Sequence, residues 1–474
     1  MKKLTIFFTL IFLSLSSFAQ SSTEEKESST YFNAFQRTRD GYPDSAIVYM
    51  QKLAPIDPSA AEELIHNSFA QAFRSIDREK LSSNPGYLSM IKKMGITVDS
   101  AFKAMEEHKA NDKLILRALS NDANPLIKNT IFPLAKWVDV QGNITNTTRL
   151  LEIGNDYLKY LSDSTDFYTY RKARYGLLIS KLMTGNTALQ AISDNLLKLI
   201  YSNLQNYLMA EDVAVLSRQQ KEKRAWYRYL SAYTNFVFSQ HTTNKTEKIQ
   251  FLKLASELSP DVLDKTVSHA YFYDKALLVG EGKESFEEDY LAALGNGDEK
   301  FKSIMAMSIK EPSFKAQAKG LYKEPAKFNT LWIYEFNNYY KNAPQFSLSQ
   351  LDGVQYVLSK QKKKWTLVDF WGTWCGPCRQ EHPDLQKLYL QTVNGTLPML
   401  NIITIASSDT EQAVRAYMKE FRYSFPVAMS DNQIEKAYNV SSWPSKFLIS
   451  PQGKFVALPS NVNWIKYVKD YVND

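Results

Sequence analysis

The chain has two cysteines in 474 residues, and both fall inside Trp374-Cys375-Gly376-Pro377-Cys378. They follow the apolar run 366–370 (Thr-Leu-Val-Asp-Phe) and precede an amphipathic segment. That order predicts a strand, a tight turn and a helix that begins at the cysteines. Two sulfurs are too few for a disulfide-stapled scaffold or a multi-cysteine zinc module. At the start of a helix, positions i and i+3 lie close enough for their sulfurs to form and break a disulfide. Unpaired backbone N–H groups and the helix dipole favour a thiolate at Cys375, while Cys378, one turn inside, is shielded. Cys375 is therefore the expected attacking thiol, and Cys378 the thiol that resolves the mixed disulfide.

A resolving thiol needs a proton acceptor. Asp369 lies near the end of the predicted buried strand, and Glu381 follows Cys378 by one helical turn, near the same face. A carboxyl buried there has a raised pKa and exchanges protons near neutrality. His382 is read as a packing residue, with Pro383 bending the helix beyond it. It cannot complete a zinc site with two cysteines, so no metal and no cofactor is expected.

The rest of the chain sets the context. At 474 residues, two or three folded units are expected. Met1-Lys2-Lys3, the apolar run 4–15 and Ser17-Phe18-Ala19 read as a signal peptide, residues 1–19, cleaved before Gln20. The mature chain is then expected to be soluble and exported to a periplasm or cell envelope. Without Lys2 and Lys3, the 57 basic residues become 55 against 50 acidic ones, a net of about +5 with the signs interspersed. The densest basic stretch, 218–228, also holds Glu222, Trp226 and Tyr227 and reads as a solvated helix face, so nucleic acid is rejected as a partner.

Residues 20–341 read as an all-α helical array, in one or two subdomains. Leu196, Leu197, Ile200, Leu204, Tyr207 and Leu208 mark one amphipathic stripe, with Ser193 and Asp194 as cap candidates. Similar stripes run through 45–53, 227–238, 249–258 and 328–340. Residues 226–260 resemble one tetratricopeptide unit, but no fixed period recurs. At Asn342-Ala343-Pro344 the pattern changes. Short strand-like runs at 355–358, 366–370, 401–406, 425–429, 446–449 and 454–457 alternate with helical segments at 380–389, 411–421 and 433–438, which predicts an α/β domain over 342–474.

Asp369-Phe370-Trp371-Gly372-Thr373-Trp374-Cys375-Gly376-Pro377-Cys378, with Glu381, Pro383 and Leu385, resembles the active-site segment of the thioredoxin superfamily. The likeness is to its TlpA/ResA-like branch of exported bacterial thiol-disulfide oxidoreductases. Residues 343–348 with Asp352-Gly353 resemble the opening hairpin of such domains, and residues 438–449 their cis-proline segment. The resemblance implies a four- or five-stranded sheet flanked by helices and a cis peptide before Pro444. It also implies a substrate groove bordered by Trp374, Gly376, Pro377, Trp443 and Pro444, with the Trp443 backbone free to pair with an extended peptide. Glu381 takes the place of the active-site glutamate of ResA-like proteins and Asp369 that of the buried acid of thioredoxin, which leaves open which of them dominates. Trp443 is bulkier than the usual aliphatic residue and Lys446 replaces a usual Thr; both are expected to border the groove.

The expected function is an exported thiol-disulfide oxidoreductase that reduces or isomerises disulfides of cell-envelope proteins. The helical region would bind a partner or substrate, and a membrane electron donor of the DsbD/CcdA kind would recharge the dithiol. The alternative is an envelope scaffold whose thioredoxin-like domain is a redox sensor or docking module. A peroxiredoxin is disfavoured, because nothing resembles an isolated peroxidatic cysteine with its arginine.

Overall fold

The computed structural model describes residues 23–74, 78–163, 166–209, 216–267, 269–280, 283–361, 363–459 and 462–473. The predicted signal segment, 1–19, lies outside the described residues. The chain forms two compact units. One runs through Val237 and takes in His269–Glu284; the other combines Phe238–Ser268 with the chain from Ser285 onward. This division does not fall at the change of pattern near 342, because helices of the preceding segment belong to the unit that holds the sheet.

Every regular element among the described residues of the first unit is a helix. Helix starts follow from local chemistry. Thr97 and Ser100 form a reciprocal capping box ahead of Val98–Ser120, and Asn124 caps Pro125–Gly142, whose first residue is a proline that has no N–H to satisfy. The stripe read at 196–208 belongs to Gln190–Met209, with Leu196, Leu197, Ile200 and Leu204 buried. Ser193 and Asp194 are not its caps. The helix begins at Gln190, and the Ser193 hydroxyl is spent on Ser180 at 2.8 Å in the packed interface with Lys172–Met183. That interface is tight: a Cβ on Gly176 would stand 2.6 Å from Ile200 Cδ1. Arg174, fully buried, donates to both carboxylate oxygens of buried Asp274 at 2.7 and 2.8 Å, the bidentate geometry that lets a buried charge pair persist.

The second unit is built on a five-stranded sheet. Its strands are β3 (Trp365–Trp371), β4 (Leu400–Ala406), β5 (Val427–Met429), β6 (Ser445–Ile449) and β7 (Phe455–Ala457), in the order β5-β4-β3-β6-β7. Two short strands ahead of them, β1 (Ser347–Ser349) and β2 (Gln355–Val357), pair as a hairpin. β3 lies parallel to β4 and antiparallel to β6. A central strand covered on both faces should be apolar at every position, and all seven residues of β3 are buried. The polar exceptions are Thr366 and Asp369.

Helices ahead of residue 342 complete this core. Trp332 and Phe336, one turn apart on Phe328–Tyr339 and fully buried, meet Trp365 of β3 and Tyr471 of the last helix, Trp464–Val472. The Lys315 ammonium donates to the carbonyls of Tyr471 and Asn473 at 2.8 and 2.7 Å, where the helix dipole favours a cation.

Candidate active site

β3 ends at Trp371, and the next residues turn into the helix Gly376–Val393. Gly372 has no room for a side chain: a Cβ there would stand 2.4 Å from the Trp374 indole nitrogen. The Trp374 ring is fixed by its Nε1–H donating to the Ser407 carbonyl at 3.1 Å. The Thr373 N–H donates to Asp409 at 2.6 Å, so the loop after β4 pins both residues that lead into the cysteines.

Cys375 is the helix N-cap, Pro377 lies in the first turn, and the Cys378 N–H donates to Cys375 Sγ at 3.2 Å. The two sulfurs are bonded, with Cα atoms 5.3 Å apart. Both cysteines are buried, Cys375 at 4 % and Cys378 at 1 % exposure, so the contrast in shielding expected from sequence is small in this disulfide state. Gly376 and Pro377 are exposed beside them. Trp374, 53 % exposed, packs edge-to-face on Trp443 at 5.4 Å, and the Trp443–Pro444 peptide is cis. Trp443 Nε1 is buried and has no hydrogen-bond partner among the described residues.

A charged cluster that the sequence reading did not assemble joins β3, β6 and the helix that starts at the cysteines. Asp369 on β3 is directly opposite Lys446 on β6. Lys446 Nζ lies 3.2 Å from Asp369 Oδ1, without the alignment of a hydrogen bond, and donates to Glu381 Oε2. Lys446, expected at the groove, is instead buried, while the Glu381 side chain keeps 32 % exposure. Burial pushes the Asp369 carboxyl up to about 6; Lys446 opposes the rise and Glu381 adds to it. A signal for the lysine was present, since a lone Lys beside Phe447-Leu448-Ile449 in a core strand needs a buried acid, and Asp369 is the acid in the neighbouring core strand.

His382 packs against Trp371, Phe425 and Tyr423, with its Nδ1 2.9 Å from the Tyr417 hydroxyl. Burial, helped by Lys446 and Arg379, lowers its pKa to about 3 and keeps it neutral. Pro383 lies inside the helix, which runs on to Val393. Among the described residues, no group of three or more His, Cys, Asp or Glu is placed to hold a metal.

A mixed sheet whose central strand delivers a Cys-x-x-Cys pair to a helix N-terminus, opposite a cis-proline, defines a thioredoxin-like domain. The model of the AhpC/TSA family matches residues 340–457. Thiol-disulfide oxidoreductase ResA of Bacillus subtilis is 34% identical over 133 residues, 28% of this chain and 73% of that protein. The thioredoxin-like protein YneN of the same organism is 34% identical over 113 residues, 24% of this chain and 66% of its own length. Among solved structures, the thioredoxin domain of a thiol-disulfide oxidoreductase from Bacteroides vulgatus aligns at 25% identity and a TM-score of 0.26, covering 28% of this chain and 96% of that one. Through its C-terminal part the chain belongs to the family of ResA-like thiol-disulfide oxidoreductases.

Proposed function

We propose that the protein reduces or isomerises disulfides of exported, cell-envelope proteins through the Cys375/Cys378 dithiol. The observation that carries this reading is the disulfide itself, seated on a helix N-cap with the Cys378 N–H directed at Cys375 Sγ. Cys375, released as a thiolate at the N-terminus, attacks a substrate disulfide; Cys378 then attacks the Cys375 sulfur and frees the reduced substrate. Trp374, Gly376, Pro377, Trp443 and Pro444 border the substrate segment, and Asp369 and Glu381 accept the Cys378 proton. A membrane electron donor of the DsbD/CcdA kind returns the pair to the dithiol. The helical region holds a partner or substrate, which its cavity of about 910 Å³ supports; Arg37, Lys103 and Lys109 are among the residues that line it.

The direction of electron flow is tested by equilibrating the protein with glutathione buffers. Gly-Pro between the cysteines resembles reducing thioredoxins, so a potential below about −200 mV is expected, and one near about −120 mV would make the protein an oxidant.

Proton transfer to Asp369 has its own signature. The carboxylate form is the acceptor, so the resolving step should slow about tenfold for each pH unit below about 6. Stability runs the opposite way. The folded state holds this proton more tightly than the unfolded chain, so the Asp369 contribution to stability is lost as pH rises from about 4 to about 6. Stopped-flow resolution rates that stay flat between pH 4.5 and 7.5 would remove Asp369 from the mechanism.

A further inference from the structure

Lys446 has no part in the exchange steps above, yet it is a buried charge held between two carboxylates. Its neighbours on β6, Phe447, Leu448 and Ile449, are buried apolar residues. Its side chain is 5 % exposed, its ammonium touches carboxylates from two different elements, and the Trp464 ring lies 4.8 Å beneath it. An ammonium stripped of water stays charged only where such partners replace the solvent. The groups that face the cluster are Asp369 from β3, Glu381 from the active-site helix, and neutral His382, which Arg379 also reaches. One lysine between two carboxylates leaves one negative charge when both are ionised, and none when the pair holds one proton.

We propose that Lys446 is a positioning residue that joins Asp369 and Glu381 into a single proton acceptor for the resolving thiol. This rests on the dithiol reading and specifies how its second step is driven. In that step the proton passes from Cys378 Sγ to the carboxylate pair, and the sulfur attacks Cys375. The Cys375–Cys378 bond forms as the Cys375–substrate bond breaks. Two electrons pass from the dithiol to the substrate disulfide, and the substrate sulfur leaves as a thiolate. Lys446 donates no proton. It sets the pH at which the pair exchanges one, because two carboxylates without the cation repel each other and hold their shared proton more tightly.

The test uses the reduced full-length protein and 5,5′-dithiobis(2-nitrobenzoate), an aromatic disulfide that releases one coloured thiolate on attack by Cys375 and a second on resolution by Cys378. In Lys446→Met the pH midpoint of the second release should move up by about one unit or more, so that the ratio of second to first release rates falls about tenfold on the acid side. Lys446→Arg, which keeps the charge, should restore the midpoint to near the wild-type value. If Lys446→Met does not fold, Asp369→Asn and Glu381→Gln carry the test. A shared acceptor predicts that each moves the same midpoint downward, because the remaining carboxylate then has the cation to itself. A Lys446→Met profile that superimposes on wild type, or a midpoint that only one carboxylate variant moves, overturns the proposal. Failure of the dithiol reading is distinct: wild type itself would give no second release at any pH.

Discussion

Cys375→Ser is expected to bring insulin-disulfide reduction down to the rate without protein, a loss on the order of 10³-fold or more. A serine hydroxyl at neutral pH is neither ionised nor able to form a mixed disulfide, and the chain has no third cysteine to substitute for it. Loss of fold would not explain the result. Position 375 is an N-cap whose sulfur accepts the Cys378 N–H, and serine is among the preferred residues at an N-cap. The helix should persist in circular dichroism while turnover disappears. A Cys375→Ser protein that reduces insulin as fast as wild type would place the chemistry elsewhere in the molecule.

Trp332→Ala should lower stability by about 3–5 kcal/mol, although the residue lies before the sheet in sequence. The indole is fully buried among Phe336, Trp365 and Tyr471, with ring centroids 5.5, 6.3 and 5.8 Å away. Its Nε1–H donates to buried Ser308 at 2.9 Å, and the Lys315 ammonium lies 4.4 Å from its ring. Alanine leaves a cavity, takes a donor from a buried hydroxyl and removes the aromatic face beside a cation. The expected reading is a lower urea midpoint at an unchanged slope, with Trp332→Phe recovering most of the apolar loss. A change within about 1 kcal/mol would mean that Phe328–Tyr339 is not part of this core. The same contacts predict that a chain starting at residue 342 is markedly less stable than the full protein.

The local order of strand, cysteines and helix was legible because each part has its own signal. The run 366–370 lies inside β3, whose observed ends extend to Trp365 and Trp371. The helix begins at Gly376 with Cys375 as its N-cap, where the cysteines were expected to start it, and takes in the segment read at 380–389. The helical character of the described residues ahead of 341 followed from stripes such as that of Gln190–Met209. Side-chain pairing across elements was harder to read. Ser193 looks like a cap in sequence, yet its hydroxyl is used by Ser180, a partner that only helix packing brings near. Lys446 looks like a groove residue until the antiparallel register of β6 sets it opposite Asp369. The change of pattern at 342 marks where strands begin, but a core can recruit helices from either side of such a change, and Trp332 and Phe336 are recruited in this way.

The most direct measurement is covalent trapping with Cys378→Ala. This variant has one thiol, Cys375, so a disulfide adduct can form there and cannot be resolved from within the chain. Incubated reduced with an oxidised peptide and analysed by intact mass, it should gain the mass of one half of the peptide disulfide, and lose it again with dithiothreitol. If no adduct forms while wild type reduces the same peptide, Cys375 is not the attacking thiol, and the dithiol account is contradicted.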